Sequence, residues 1–439
     1  MEGGREPVAA PALLPSSRTA CLLAHLVARF GDAKTRWREV RCRGTRLEKP
    51  LGASTCLNGM RLLLARAAHV VALVVALVVA PAASAQVVRL ERPNAVLAER
   101  FSLVRGVREL ANGRLLIADW IENRVVVADL AAETVRDVLR EGRGPREVRL
   151  PTGLVRLRGD STLVLDEGNN RLMVLAPDGM SVRTIAAEVP GRGGVRGIDP
   201  GGAFYHAVPS WSEGPSALAD DSVRIVRWDP SSSAEPRTIA VIQGTRYRRD
   251  RSPAMRPRLP MVGFASQDAW VVSPDGAILI VRASPYRVEV HAPGRAPVVG
   301  PSYPVGARVV TADDKRRFVA EFSFGSPVSG RGADGGMGRG PQPDAAEIRR
   351  MVGTAEWAER FPPFDASNVL VAADGRLWVG AVVRPGEPMR YDIFDGLGRR
   401  ATQVEFGAGR RVAHVGTRGV YVVADDADGV QMIERYRLP

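Results

Sequence analysis

The segment Leu163–Gly179, LVLDEGNNRLMVLAPDG, contains two short apolar runs separated by a polar turn. The first run ends on Asp166, the second begins with Arg171, and an Asp-Gly pair closes the segment. Because Gly and Asn at the two breaks can adopt positive φ, and Val, Leu and Met fill the runs, the segment predicts two antiparallel strands. A single hairpin is at best marginally stable in water, so we expect further copies to pack against it.

The same hairpin pattern occurs six times along the chain. The predicted first strands are Leu115–Asp119, Leu163–Asp166, Ala203–Ala207, Ile278–Arg282, Leu377–Ala381 and Tyr421–Asp425. The predicted second strands begin with an arginine in five repeats and a glutamine in the sixth, namely Arg124, Arg171, Arg224, Arg287, Arg390 and Gln431. Another apolar run precedes each pair, and a fourth follows most of them. This arrangement predicts an all-β fold, a six-bladed β-propeller of four-stranded antiparallel blades.

Two of the repeats carry further markers. Asp-x-x-x-Asn-Arg at Asp119–Arg124, the Asn-Asn-Arg version at Asp166–Arg171, and the inter-unit loop Glu141–Gly153, EGRGPREVRLPTG, resemble NHL-type repeats of six-bladed, exported bacterial propellers. The resemblance covers Gly106–Leu438, and in the third to fifth units it rests on the strand pattern alone. It implies a fold, whereas function must be argued from a site.

The sixth repeat ends at Leu438 after only three predicted strands. The segment Phe101–Val104 just precedes the first repeat, and we expect it to supply the missing outer strand of the sixth blade. Closure of this kind removes two exposed sheet edges. We therefore expect residues 86–439 to form one propeller domain with an insertion at 306–363.

The first 85 residues lack the repeat pattern. Residues 1–59 contain all three cysteines and no strand or helix periodicity, which indicates a disordered or non-native extension. Met60 begins MRLLLARAAHVVALVVALVVAPAASAQ, whose basic start, apolar core and Ala-Ser-Ala site predict a signal peptide over residues 60–85 and a mature N-terminus at Gln86. The alternative is a membrane anchor, because the apolar run approaches the length of a span. Cleavage predicts a periplasmic or secreted protein.

The composition of residues 86–439 narrows the classes of function. This part has no cysteine, which excludes disulfides and thiolate metal sites, and Lys315 is its only lysine. The first 85 residues contain 12 basic and 5 acidic side chains, which leaves a net charge of +6 of the chain's +13 on residues 86–439. The remaining basicity is arginine and is modest, so we do not expect a nucleic-acid partner.

Three long loops interrupt the repeats, at Pro209–Asp221, Gly244–Phe264 and Gly306–Pro363. In a four-stranded blade, the loop between strands two and three and the connection to the next blade emerge on the same face. The opposite face carries only tight turns such as Asn112-Gly113. We call the first face the insertion face, and insertions gathered on one side of a repeat architecture typically mark the binding side.

The longest loop predicts structure of its own. Thr311–Phe322 has a Thr cap with an acidic first turn, and Asp344–Arg360 places apolar residues on one face, so both predict helices. The glycine-rich segment Gly325–Pro341 between them predicts a mobile tether. The insertion is then a helical cap, or alternatively an addition without a role.

The arginine-rich loop Gly244–Phe264 provides the candidate ligand-binding residues. Guanidinium groups can bind a carboxylate, phosphate or sulfate through bidentate hydrogen bonds. The alternative is a solvated loop whose charge has no ligand. The predicted ligand-binding residues are Arg246, Tyr247, Arg248, Arg249 and Arg251, together with Arg282 at the end of a blade-four strand.

The candidate metal ligands are weaker than the candidate ligand-binding arginines. His206, His291 and His414 fall at different strand positions, so we expect no three-His zinc site. A calcium site in the central channel would use carboxylate and amide oxygens, for which the candidates are Glu109, Asp166, Asn368 and Asp425. The repeat aspartates are better explained as structural groups that accept backbone N–H bonds near the turn before the third strand.

These observations predict an exported, monomeric β-propeller binding protein without a cofactor. It would bind a small anionic ligand, a glycan or a protein through loops on the insertion face. The alternative is a divalent-metal-dependent hydrolase or lyase with its site in the central channel and calcium as the candidate ion. The sequence shows no Ser-His-Asp arrangement, phosphate loop or paired-carboxylate motif.

Overall fold

The computed structural model describes residues 87–179, 182–185, 195–209, 221–245, 262–325, 327–331, 337–339, 344–426 and 428–438. Residues 1–85, with the predicted extension and signal peptide, lie outside the described residues. The same is true of Arg246, Tyr247, Arg248, Arg249 and Arg251, and of most of the loop Pro209–Asp221.

The first half of the described chain forms three blades. Two strands come before them, β1 (Val87–Leu90) and β2 (Ala95–Phe101). Blade one contains β3 (Val104–Glu109), β4 (Leu115–Asp119), β5 (Arg124–Asp129), β6 (Thr134–Glu141) and the short β7 (Glu147–Val148). Blade two contains β8 (Pro151–Arg156), β9 (Thr162–Asp166), β10 (Arg171–Leu175) and β11 (Val182–Ile185). Blade three contains β12 (Val195–Ile198), β13 (Phe204–Pro209), β14 (Ser222–Trp228) and β15 (Arg237–Gln243).

The second half forms three more blades and the insertion. After the short β16 (Val262–Gly263), blade four contains β17 (Ala269–Val272), β18 (Ile278–Ala283), β19 (Tyr286–His291) and β20 (Val298–Val299). The insertion contains α1 (Ala312–Gly325), β21 (Pro327–Arg331), β22 (Met337–Arg339), α2 (Ala345–Thr354) and β23 (Glu356–Trp357). Blade five contains β24 (Val369–Val371), β25 (Leu377–Gly380), β26 (Met389–Phe394) and β27 (Arg400–Phe406). Blade six contains β28 (Arg410–Val415), β29 (Val420–Asp425) and β30 (Gln431–Tyr436).

In each blade the strands follow one another from the inside outwards and neighbouring strands are antiparallel, except that the short β7 pairs in parallel with β6 at the outer edge of blade one. The inner strands β3, β8, β12, β17, β24 and β28 lie next to one another in blade order, and β28 returns to β3. The six inner strands therefore form a closed ring, and the predicted six-bladed propeller is confirmed.

Six buried apolar clusters fill the six spaces between neighbouring blades. Strand β4 shows how one strand serves two of them, because successive side chains point to opposite faces of a sheet. Leu115 and Ile117 pack with blade six, whereas Leu116 and Ala118 pack with blade two. Both faces of β4, the second strand of blade one, are thus buried, which explains its continuous apolar sequence.

The ring is closed by the N-terminal segment, but not by the strand we predicted. Strand β2 pairs with β30 and provides the outer strand of blade six, with Phe101 as its last residue. Val104, which we assigned to the same strand, instead begins the inner strand of blade one. The predicted segment Phe101–Val104 therefore spans the connection between two strands, and closure by the N-terminal segment itself is confirmed.

Strand β1 adds a feature that the sequence did not predict. It runs parallel to β27, the outer strand of blade five. Val88 and Leu90 pack against the apolar cluster between blades five and six, and Arg89 lies 3.3 Å from Glu405. The N-terminal segment therefore covers the edge of blade five before it completes blade six.

The insertion contains both predicted helices, with two corrections. The side chain of Thr311 accepts a hydrogen bond from the N–H of Asp314, whose carboxylate accepts the N–H of Thr311 in return, so α1 begins with a capping box. Helix α2 ends at Thr354 rather than Arg360, because β23 pairs in parallel with β16. The predicted tether contains the paired strands β21 and β22. No helix in the described part of the chain is long and apolar enough to cross a membrane.

Candidate functional site

Arg282 is the one predicted ligand-binding residue that the structure describes. Its guanidinium group donates to Asp268 at 2.8 Å, to Glu289 at 2.9 Å and to the carbonyl oxygen of Val241 at 3.1 Å. Burial alone would raise the pKa of Glu289, but hydrogen bonds from Arg282 and Arg287 outweigh it and hold this pKa at about 2. Two carboxylates therefore balance the charge of Arg282, and its contact with a ligand stays a prediction.

Two of the repeat aspartates, Asp119 and Asp166, accept backbone N–H groups as predicted. Asp119 accepts the N–H groups of Ser102 at 2.9 Å and Leu103 at 3.1 Å, and Asp166 accepts the N–H of Arg149 at 2.8 Å. Both carboxylates are fully buried. They fix the connection that arrives from the preceding blade, rather than only the turn before the third strand.

The two marker arginines nearest these aspartates also join blades. Arg124 of blade one donates to Glu99 at 2.9 Å, and Glu99 belongs to β2 in blade six. Arg171 donates to Asp166 at 2.6 Å and to the carbonyl oxygen of Glu147 at 2.6 Å in the connection between blades one and two. Arg124 therefore pairs across a blade boundary, and Arg171 pairs with the inter-blade connection.

The other calcium candidates are bonded to neighbouring protein groups. Glu109 accepts the Thr417 hydroxyl at 2.5 Å and the Tyr421 hydroxyl at 2.8 Å, which joins blade one to blade six. Asn368 accepts the hydroxyl of Tyr391 at 2.9 Å, and Asp425 accepts Gln431 Nε2 at 2.8 Å. Among the described residues, no group of three His, Asp or Glu side chains lies close enough to hold a metal ion. The four calcium candidates therefore each accept hydrogen bonds from protein groups, and the channel-metal alternative stays a hypothesis.

The three histidines that the structure describes lie in different blades. His206 is in β13 of blade three, His291 ends β19 of blade four, and His414 is in β28 of blade six. The ring of His414 stacks on Tyr421 with centroids 6.1 Å apart. Burial lowers the pKa of His414 to about 4, with the charges of Arg108 and Arg156 adding to the effect and that of Glu109 opposing it. His414 is therefore neutral at pH 7.

Bulges interrupt the inner strands of blades one, two and three near their insertion-face ends. The bulged residues are Arg105, Thr152 and Arg196, and each is followed by a glycine. A bulge takes one residue out of the strand register and redirects its side chain. In blade one a Cβ at Gly106 would lie 3.1 Å from the backbone N of Leu154 in blade two. Glycine therefore allows the next inner strand to approach, while the bulge frees the preceding side chain.

Arg105 lies beside Arg411 at the insertion-face end of the channel, because ring closure brings β28 next to β3. Arg411 Nη2 donates to the carbonyl oxygen of Val104 at 3.1 Å, and Arg105 Cζ lies 5.9 Å from the centre of the Trp120 ring. Partial loss of solvent and the charge of Arg411 lower the pKa of Arg105, while Glu167 opposes them. Among the described residues, no carboxylate forms an ion pair with either guanidinium group. We call Arg105 and Arg411 the channel-mouth arginines.

The cap is fixed to the insertion face of blade five. Arg384 donates to both oxygens of Asp314 at 2.9 Å, which ties α1 to the connection before β26. Arg308 donates to Glu387 at 2.7 Å, and the guanidinium groups of Arg308 and Arg384 lie 5.3 and 5.2 Å from the centre of the Phe361 ring. The start of the cap is therefore a fixed part of the insertion face.

Sequence reasoning missed the channel-mouth arginines, although a signal for one of them was present. Val-Arg-Gly occurs at Val104–Gly106 and again at Val195–Gly197, at the start of two inner strands. Pro-Thr-Gly occupies the equivalent place in blade two. The recurring glycine marks the bulge position, whereas Arg411 has no such marker and becomes a neighbour of Arg105 only through closure of the ring.

No protein-family model matches the chain, and no curated protein sequence matches it. Solved structures with a similar fold include a calcium-binding protein, regucalcin, from Agrobacterium tumefaciens, with 12% identity and a TM-score of 0.37 over 80% of this chain and 95% of that one. Streptogramin B lyase has 11% identity and a TM-score of 0.35 over 78% and 87%. A PQQ-bound aldose sugar dehydrogenase from Streptomyces coelicolor has 14% identity and a TM-score of 0.37, over 78% of this chain and 97% of that one. These distant similarities concern the fold alone.

Proposed function

We propose that the protein is a binding protein that holds a small anionic ligand at the insertion-face end of its channel. The observation that carries this proposal is the pair of channel-mouth arginines, Arg105 and Arg411. Two guanidinium groups at one opening, without a paired carboxylate among the described residues, attract an anion. Guanidinium groups also match the planar geometry of a carboxylate or the oxygens of a phosphate.

The long loops also favour a ligand site on the insertion face. The arginine-rich loop Gly244–Phe264 and the cap both leave the blades on the insertion face, where the inner strands begin. We propose that the loop adds guanidinium groups to the ligand and that the cap limits access of water to it. The proposed additional ligand-binding residues are Arg246, Tyr247, Arg248, Arg249 and Arg251.

We also propose that the protein is exported to the periplasm or secreted. The support is the basic start, apolar core and Ala-Ser-Ala site of residues 60–85. A protein with this address would meet soluble anions and glycans outside the cytoplasm.

The binding proposal is tested by titrating the chain beginning at Gln86 with citrate, galacturonate, phosphate and sulfate at low ionic strength. Each charge-assisted hydrogen bond contributes roughly 1.5–3 kcal/mol, so Arg105→Ser combined with Arg411→Ser should weaken the best of these anions by at least about 100-fold. The matched control, Arg237→Ser with Arg295→Ser, removes two exposed arginines at the outer strands of blades three and four. Equal affinities of the two double variants, or no binding of any anion by the parent, would contradict the proposal.

A further inference from the structure

The opposite end of the channel carries another arginine without a counter-ion. Arg156 is the last residue of the inner strand β8 and is exposed, and no described carboxylate forms an ion pair with it. Its charge acts on His414 of blade six. Strand β8 is one of the six inner strands of the closed ring, so its last residue lies at the end of the channel opposite the channel-mouth arginines.

The charged neighbours of Arg156 are already compensated. Arg108 of blade one donates to Asp160 at 2.6 Å, and Asp160 also accepts the N–H of Ala111 at 2.8 Å. Glu109 is held by the donors of blade six. Positive charge that is free to attract an anion therefore remains on Arg156.

The two ends are separated by the length of an inner strand. Thr152 occupies in blade two the bulge position that Arg105 occupies in blade one, and Arg156 follows it by four residues. At about 3.3 Å per residue, this places Arg156 roughly 13 Å further along the strand. An inorganic anion or a single sugar acid is too short to contact both ends. His414 lies near the end of β28 and therefore on the side of this interval that faces Arg156. A neutral imidazole can donate a hydrogen bond to a hydroxyl group or accept one from it.

We propose that the channel binds an elongated oligocarboxylate, a short linear chain of acidic sugars, with one end at the channel-mouth arginines and the other at Arg156. The inference rests on the proposed function, because it extends the same site along the channel. It also specifies the class of ligand, which is several carboxylates on a linear scaffold. The channel-mouth arginines alone do not determine this class.

The test compares galacturonate with tri-galacturonate by calorimetric titration of the chain beginning at Gln86. The parent should bind the trimer more tightly than the monomer. Arg156→Ser should weaken the trimer by about 10-fold or more and leave the monomer unchanged, because the monomer contacts only the mouth. Arg158→Ser is the matched control, since it removes an exposed arginine from the adjoining turn and should change neither affinity.

The two proposals fail in different ways. If Arg156→Ser binds the trimer as tightly as the parent does, or if the trimer binds no better than the monomer, the elongated ligand is wrong. The proposed function stands if the Arg105→Ser, Arg411→Ser variant still loses affinity for both sugars. If that double variant keeps full affinity, the proposed function is wrong as well. Failure of both sugars to bind the parent would overturn the acidic-sugar class.

Discussion

Buried aspartates hold the blade connections, and the direction of the bond varies between blades. In blade two, Asp166 at the end of the second strand accepts the N–H of Arg149 in the incoming connection. In blade four the aspartate is in the connection, where Asp268 accepts the N–H of Ala283 at the end of the second strand. The bond recurs although the residue has moved, which explains why the repeat aspartate cannot be found from the sequence of unit four.

Asp166→Ala should be strongly destabilising. It leaves the buried N–H of Arg149 and the guanidinium group of Arg171 without their carboxylate, and breaking a buried ion pair costs about 3–5 kcal/mol. Asp374→Ala, which removes an exposed pair with Arg376, should cost at most about 1 kcal/mol. Urea denaturation at pH 7 measures both variants. Similar losses would show that Asp166 does not support the connection.

His414 should make the protein less stable as the pH falls. Its pKa is about 4 in the folded protein and about 6.5 in an unfolded chain, so the unfolded chain binds the proton more tightly. The stability that depends on neutral His414 is complete above pH 6.5 and is lost towards pH 4, by about 3 kcal/mol at most. Glu109, Arg108 and Arg156 are the charged groups that act on it.

The variant His414→Gln should therefore lose less stability than the parent between pH 7 and pH 4.5. The measurement is the free energy of unfolding in urea at the two pH values. Carboxylates that titrate in this range are present in both proteins, so their effect cancels in the comparison. An unchanged pH dependence would show that His414 is not held neutral by its surroundings.

At the scale of whole strands, the local sequence pattern was sufficient to predict most of the fold. The third strands of blades one to five begin at or within two residues of the predicted arginines, because the turns and the period-two apolar pattern are encoded locally. Strand β1 pairs in parallel with a strand more than 300 residues later, and no turn in the sequence marks such a partner. Helix α2 was predicted too long because pairing of β23 with β16 overrides helical periodicity.

The N-terminal strands should contribute unequally to stability. A chain beginning at Ala95 loses β1 and exposes Val404 and Phe406 at the edge of blade five, whereas a chain beginning at Ser102 also loses β2 and the buried Leu97 and Phe101. The first truncation should lower the melting temperature moderately, and the second should cause unfolding or aggregation. Thermal melting and size-exclusion chromatography test this. Equal stability of the two truncated chains would mean that β2 does not close the ring.

The propeller as a whole distributes charge unevenly around its channel. The unpaired arginines among the described residues of the inner strands, Arg105, Arg156 and Arg411, belong to blades one, two and six. These blades are neighbours only because the chain closes on itself. The ring, its insertion face and the inter-blade carboxylates could therefore be predicted from the sequence. A site built from the first and last repeats could not, because those repeats become neighbours only when the ring closes.

Export should be visible in the processed chain. Expressed from Met60 in a secreting host, the protein should be recovered with Gln86 as its first residue, because the apolar core is followed at once by Ala-Ser-Ala. Mass spectrometry of the purified protein measures this directly. An intact N-terminus on a membrane-associated protein would favour the uncleaved anchor.

The most direct test of anion binding at the channel mouth is anomalous diffraction from crystals of residues 86–439 soaked in selenate. Selenate is a dianion whose selenium can be located without reference to the protein, and the channel-mouth arginines should outcompete exposed, ion-paired arginines for it. We expect an anomalous peak with its oxygens within hydrogen-bond distance of the guanidinium groups of Arg105 and Arg411. Selenate bound at other arginines, with no peak between these two, would contradict the account.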